Sequence, residues 1–195
     1  MSLTIDATPG GAASNSYVTL ADAETYFTTR PFAAAWNAQT GTPGDELKKQ
    51  ALIFATQYLD RQKWLGNKGM TTVAGYTQAL AWPRRWAPTL EFDQQPDYLT
   101  EYFIDITIAY YSSLTIPGPI MKGTCELALI VLAAGAVDPF TSDNRRVKRS
   151  NIGGAVDTEY FASQDFIRGI GHFPHVAQIV APLLRNGSGL EVERV

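Results

Sequence analysis

The sequence predicts a mainly α fold: a small helical bundle carrying a β-hairpin, extended arms and flexible termini. Three observations predict it. Leu47, Ala51, Phe54, Ala55 and Tyr58 recur at i, i+4, i+7, i+8 and i+11, with Lys48, Lys49, Gln57 and Arg61 off that stripe, as in an amphipathic helix. Residues Ile120 to Val137 are almost wholly apolar apart from Lys122, Thr124 and Glu126, the pattern of a helix surrounded by protein. Gly153-Gly154 divides VKRSNI from AVDTEYF, a turn between two strand-like runs.

In chain order, the first fifteen residues are small and polar and read as a flexible arm (1–15) ahead of one domain, 16–184. Thr19 caps a short helix over Leu20 to Arg30, which Pro31 ends because proline disfavours helical geometry in the residue before it. A polar Gly/Pro loop over Asn37 to Gly44 leads to the striped helix, Asp45 to Gln62, with Asp45 and Glu46 favouring the positive end of its dipole. Trp64 to Arg85 is glycine-rich loop that its tryptophans anchor to the helix surface. An acidic and aromatic insertion, 87–115, contains a run, Tyr102 to Tyr111, that fits either a strand or a helical stripe; its β-branched content favours the strand. Pro117-Gly118-Pro119 opens the apolar helix, the hairpin covers 147–161, and a last helix, Pro174 to Leu184, is shortened by Pro182. The tail, 185–195, is expected to be flexible.

Sixteen Lys+Arg against nineteen Asp+Glu give a net charge of −3, which excludes a strongly basic nucleic-acid binder but leaves room for a local basic patch. The longest apolar run, Leu127 to Val137, is eleven residues, whereas a membrane helix needs about twenty. Together with an N-terminus lacking a signal-peptide layout, it points to a soluble protein with no membrane partner. Catalytic patterns are missing: no phosphate-cradling glycine motif, no G-x-S-x-G, and a single cysteine, Cys125, set against an apolar run as a structural residue would be. His172 and His175 form H-x-x-H, which lacks the third ligand that a zinc hydrolase requires. An enzyme, a metal site and a cofactor are therefore not expected.

Two charged features stand out. Arg145, Arg146, Lys148 and Arg149 place four positive charges in five residues at the start of the hairpin, while 87–121 holds Glu91, Asp93, Asp97, Glu101 and Asp105 with no Lys or Arg. The basic run reads as a phosphate-binding patch, a dock for an acidic neighbour or a solvated loop; in a closed ring, one subunit's acidic face would meet the next subunit's basic hairpin, with Glu91, Asp93 and Asp97 the expected acidic contacts. The second feature is Trp82, Arg84, Arg85 and Trp86, rings interleaved with positive charge as in grooves that hold single-stranded nucleic acid. The competing explanation for that quartet is a tryptophan-anchored loop with surface arginines.

One ordered set of residues carries a resemblance. Ser16-Tyr17-Val18-Thr19 opens a helix with Ala23 and Tyr26; Ala51-Leu52, Ala55-Thr56 and Leu59-Asp60 precede Trp64-x-Gly66. Gln78-x-Leu80-x-Trp82-Pro83-Arg84, Ile116-Pro117 before Glu126-Leu127-Ala128-Leu129, and Val147-Lys148-Arg149 with Ile152-Gly153 follow. The set resembles small tailed-bacteriophage structural proteins labelled DnaT-like single-stranded-DNA-binding proteins and regarded as head–tail connector or adaptor subunits. It spans about residues 14 to 184 and departs from the pattern in the long segment from Trp86 to Thr115. The resemblance implies a helical bundle with extended arms and a virion structural role at the head–tail junction, after assembly in the host cytoplasm. On the order of twelve copies would form a ring, beneath the portal protein and above a downstream tail or head-completion protein, passing double-stranded DNA without reading its sequence. The alternative takes the label literally: a single-stranded-DNA-binding replication accessory protein using Trp82, Arg84, Arg85, Trp86 and the Arg145–Arg149 cluster.

Overall fold

A computed structural model describes residues 2–69, 77–89, 110–135, 147–153, 155–160 and 169–185. The fold is mainly α. Its helices are α1 (Leu20–Thr29), α2 (Ala34–Asn37), α3 (Gly41–Asp60), α4 (Gly118–Ala134) and α5 (Pro174–Val180), with two antiparallel pairs, β1 (Asn67–Lys68) with β2 (Arg84–Arg85) and β3 (Val147–Gly153) with β4 (Ala155–Tyr160). Most of the run read as strand or helix, Tyr102 to Tyr111, lies outside the described residues, as do Glu91, Asp93, Asp97, Arg145 and Arg146.

The packed centre is α3 against α4, with α5 on α4 and the two short helices alongside. Thr19 Oγ1 accepts the Asp22 N–H at 3.1 Å and starts α1, which buries Ala23 and Phe27. Phe27 stacks on Trp36 of α2 at 4.3 Å. Lys48 Nζ lies 5.1 Å from the centre of that indole and 2.6 Å from Glu24 Oε1, so this buried lysine keeps a counter-ion.

Helix α3 begins at Gly41, ahead of the predicted Asp45, inside a segment expected to be loop. Gly41 takes a left-handed φ of +66°, and at Gly44 a β-carbon would come within 2.5 Å of the Gln39 carbonyl carbon, so the glycines permit the early start. The buried stripe also differs. It runs through Lys48, Ala51, Leu52, Ala55, Thr56 and Leu59, about one residue round from the predicted one. Leu47 and Phe54 are left 45% and 36% exposed, on an open apolar groove of about 570 Å³ that also touches Val131 and Leu132 of α4. The polar N-terminal segment, expected to be a flexible arm, is tied to α3: the Leu3 N–H and the Ser2 hydroxyl donate to Glu46 at 2.7 and 2.9 Å. Those bonds and Lys49 hold the Glu46 carboxyl at about 2.

Helix α4 starts at the predicted Pro-Gly-Pro and is buried from Ile120 to Leu129 on several sides, while its last turns are half exposed. At Gly123 a β-carbon would stand 2.9 Å from Val180 Cγ1, which is why α5 can lie so close. After Val180 the chain tightens into a 3-10 turn, Ala181–Leu183, at the predicted Pro182. The hairpin forms as predicted, pairing Ile152 with Val156 and Gly153 with Ala155.

Glu126, only 4% exposed at its side chain, joins the helices. It accepts Arg30 Nε at 2.6 Å and Nη2 at 2.9 Å, and the Tyr26 hydroxyl at 2.5 Å, while His175 Nε2 of α5 lies 3.8 Å away. Burial pushes its carboxyl up, but Arg30 and Tyr26 outweigh that and hold it below the ordinary value of 4.5. A depressed carboxylate stabilises the fold above its unfolded pKa and loses that contribution as pH falls through the folded value. Glu126→Gln should therefore cost about 3 kcal/mol in urea unfolding at neutral pH, since Arg30 loses its counter-ion. The variant should also show a flatter decline in stability than the parent as pH drops below the ordinary glutamate value.

Candidate nucleic-acid interface

Asp60, the last residue of α3, positions the site. Its Oδ1 accepts the Tyr17 hydroxyl and the Ala81 N–H, both at 2.5 Å, and so fastens the loop after α3 to the helix end. Burial and that carboxylate raise the Tyr17 pKa well above 10, so the phenol stays a donor. Trp64 donates its Nε1–H to Leu59 O at 3.1 Å and meets Trp82 edge to face at 5.8 Å. Trp64 and Trp82 are 4% and 1% exposed, so the tryptophans anchor the loop as predicted. The Trp82–Pro83 peptide is cis. Gln78 Nε2 donates to the carbonyls of Leu80 and Pro83 at 2.8 and 3.0 Å and closes the turn.

From this anchor the chain enters β2, which pairs Arg84 with Lys68 and Arg85 with Asn67. Strand alternation sends the two arginines opposite ways. Arg84 Nε donates to Leu65 O at 2.7 Å, Nη2 to Gly66 O at 2.6 Å and Nη1 to Ala81 O at 3.3 Å. Burial lowers its pKa, and its donors serve the loop. Gly66, at φ +71°, is required because a β-carbon would strike the Arg85 carbonyl. Arg85 is exposed.

Trp86 follows with a left-handed φ of +62° and 64% exposure. Among the described residues, only Phe32 shares that backbone state without being glycine. Phe32 is 92% exposed. Trp86 meets Tyr110 at 5.4 Å and 89°, edge to face. Tyr110 is held there by a bridge to Pro88 and by the neighbouring bond from the Tyr111 N–H to Ala87 O at 2.9 Å. With Tyr110 42% exposed, an aromatic platform lies in solvent, next along the strand from Arg85.

The quartet singled out in the sequence is thus divided: Trp82 and Arg84 are scaffold, and Arg85 and Trp86 face solvent. Tyr110 was missed. Its signal is the Tyr110-Tyr111 pair, in which extended backbone turns one ring out and leaves the other half-buried against the core. Lys148 and Arg149 lie on β3, and the acidic partners expected for them fall outside the described residues, so that pairing is not seen. Cys125 is buried, and burial together with Glu126 pushes its thiol up to about 12, leaving it protonated. His172 packs edge-on to Phe173 at 5.2 Å, and His175 lies 3.8 Å from Glu126. Among the described residues no three His, Cys, Asp or Glu side chains gather as a metal site, and no helix is long and apolar enough to cross a membrane.

Rings and one arginine are thus displayed on a small anchored loop. The family model described as "putative DnaT-like ssDNA binding protein" matches residues 1–195, and the chain belongs to that family. No curated protein and no solved structure matches it. This corrects the expectation of a virion head–tail connector that binds portal and forms a ring: the family covering the whole chain is described by single-stranded DNA, the alternative reading. The connector expectation rested on what the resemblance of that ordered set of residues implies, and a shared fold does not fix a role.

The division of the arginines is testable. Arg84→Ala should lower stability by about 2 kcal/mol, because three carbonyls lose a charged donor. Arg85→Ala, at an exposed position, should cost less than Arg84→Ala. Paired urea titrations measure both.

Proposed function

We propose that the chain is a non-enzymatic binding protein that holds single-stranded DNA on the Trp86–Tyr110 platform, with Arg85 beside it, and without reading base sequence. The observation that carries this reading is Trp86 itself. A large ring 64% exposed in a left-handed conformation is unfavourable twice, once in apolar surface and once in backbone strain of about 1–3 kcal/mol. Such strain belongs to functional positions, and a base stacked on the indole would cover the exposed area. The family description names the same ligand.

Stacking on an aromatic ring tolerates every base because each has a π face. The edge-to-face arrangement presents two ring planes 89° apart, so successive bases would have to turn between them. A flexible single strand makes that turn more readily than stacked duplex does.

Tryptophan emission reports the event selectively. Trp36, Trp64 and Trp82 are each no more than 4% exposed, so only Trp86 is open to a stacking base. Titration with a single-stranded oligothymidine at low salt should quench the emission, and Trp86→Phe should abolish the response. Tyr110→Ala should weaken binding by about 1–3 kcal/mol, roughly 5- to 150-fold. Absence of quenching in the parent, or its persistence in Trp86→Phe, overturns the reading.

A further inference from the structure

The β1–β2 ladder sorts its four side chains onto two faces. Facing residues of an antiparallel pair share a side, and successive residues alternate. Lys68 and Arg84 face each other on the side of the loop. Lys68 Nζ donates to Ala79 O at 3.1 Å, and Arg84 donates to the carbonyls of Leu65, Gly66 and Ala81. Asn67 and Arg85 face each other on the opposite side, and both are exposed.

Asn67 also stands at the foot of the aromatic platform. The preceding residue, Gly66, packs backbone to backbone on the residue that carries the exposed indole: a β-carbon there would lie 3.0 Å from the Trp86 carbonyl carbon and 2.9 Å from the Ala87 nitrogen. Arg85, across the ladder from Asn67, directly precedes Trp86. Cross-strand β-carbons lie about 5 Å apart, so a carboxamide and a guanidinium, both hydrogen-bond donors, project together one residue from Trp86. The net charge of −3 gives the chain no general attraction for a polyanion, so a phosphate needs such a local seat.

We propose that Asn67 and Arg85 form a phosphate seat beside the platform, the guanidinium supplying charge and the Asn67 amide a neutral hydrogen bond to the same phosphate. The inference rests on the single-stranded DNA reading above and gives Asn67, a residue that no charge or aromatic pattern marks, a place in that site. The two donors have different signatures. Each phosphate neutralised on a single strand contributes about 0.7 to the slope of log affinity against log salt, whereas a neutral amide changes affinity and leaves the slope alone.

The experiment is fluorescence anisotropy of a labelled oligothymidine of about 20 nucleotides over a potassium chloride series, with tryptophan quenching recorded in parallel. Asn67→Ala should weaken binding roughly five-fold and keep the parent's salt slope. Asn67→Lys should steepen the slope by about 0.7 and tighten low-salt binding. Asn67→Asp, close to isosteric, should flatten the slope by about 0.7, because the new carboxylate faces Arg85 and takes up its charge. Arg85→Ala should flatten it by the same amount, and adding Asn67→Ala to that variant should weaken binding by less than about two-fold, since the two groups share one phosphate. Quenching at saturation should match the parent throughout. The parent's affinity in Asn67→Ala overturns the amide contact, and the parent's slope in Asn67→Lys or Asn67→Asp overturns the seat; either result leaves the platform intact. Failure of the parent to bind overturns the platform, and the seat with it.

Discussion

The displayed rings depend on one carboxylate. Asp60 sits where α3 ends, and its Oδ1 receives both the Tyr17 hydroxyl and the Ala81 amide. Tyr17 is held in turn by its own N–H on Thr56 Oγ1 at 3.2 Å, one helical turn earlier. The segment before α1, the end of α3 and the Trp82 loop are therefore locked at one point. Everything beyond that point, from the Arg84 clamp to Trp86, inherits its direction. Two buried tryptophans add apolar area around the lock, but area has no direction; the hydrogen bonds supply it.

The architecture was legible wherever burial repeats with a simple period. The capped α1, the proline-led α4 and the hairpin followed from local chemistry. What escaped was rotation and extent. The periodic stripe over α3 runs through Leu47 and Phe54, yet Leu52 and Leu59 are the fully buried leucines of that helix, and Lys48 is buried with them. Periodicity fixes which residues share a face; it cannot say which of two adjacent apolar faces a neighbouring helix will cover. The early start of α3 depended on Gly41 and Gly44, which sequence punctuation normally assigns to loops.

The site was only half legible, and for a related reason. Gln78, Leu80, Trp82, Pro83 and Arg84, the residues that carried the family resemblance, belong to the hydrogen-bonded scaffold. They hold the loop in shape, and the resembling stretch stops just short of Arg85 and Trp86, where ligand contact is proposed. Composition treats neighbouring arginines as equivalent. Only the pairing of Arg84 with Lys68 and of Arg85 with Asn67 shows that the two leave the strand on opposite sides, with Arg84 toward the loop carbonyls. Tyr110 is distant in sequence and joins Trp86 through the Pro88 bridge, a long-range contact that no local pattern encodes.

The two-residue ladder of β1 and β2 is a parity device. Losing or gaining one amino acid between Gln78 and Arg84 would leave the composition of the loop almost untouched, yet it would exchange the inward and outward positions. Loss of one residue would put the Arg85 guanidinium at the Leu65 and Gly66 carbonyls and the indole of Trp86 in the outward place that Arg85 now holds. The number of residues between Gln78 and Arg84 therefore sets which side chain meets the carbonyls of the neighbouring turn.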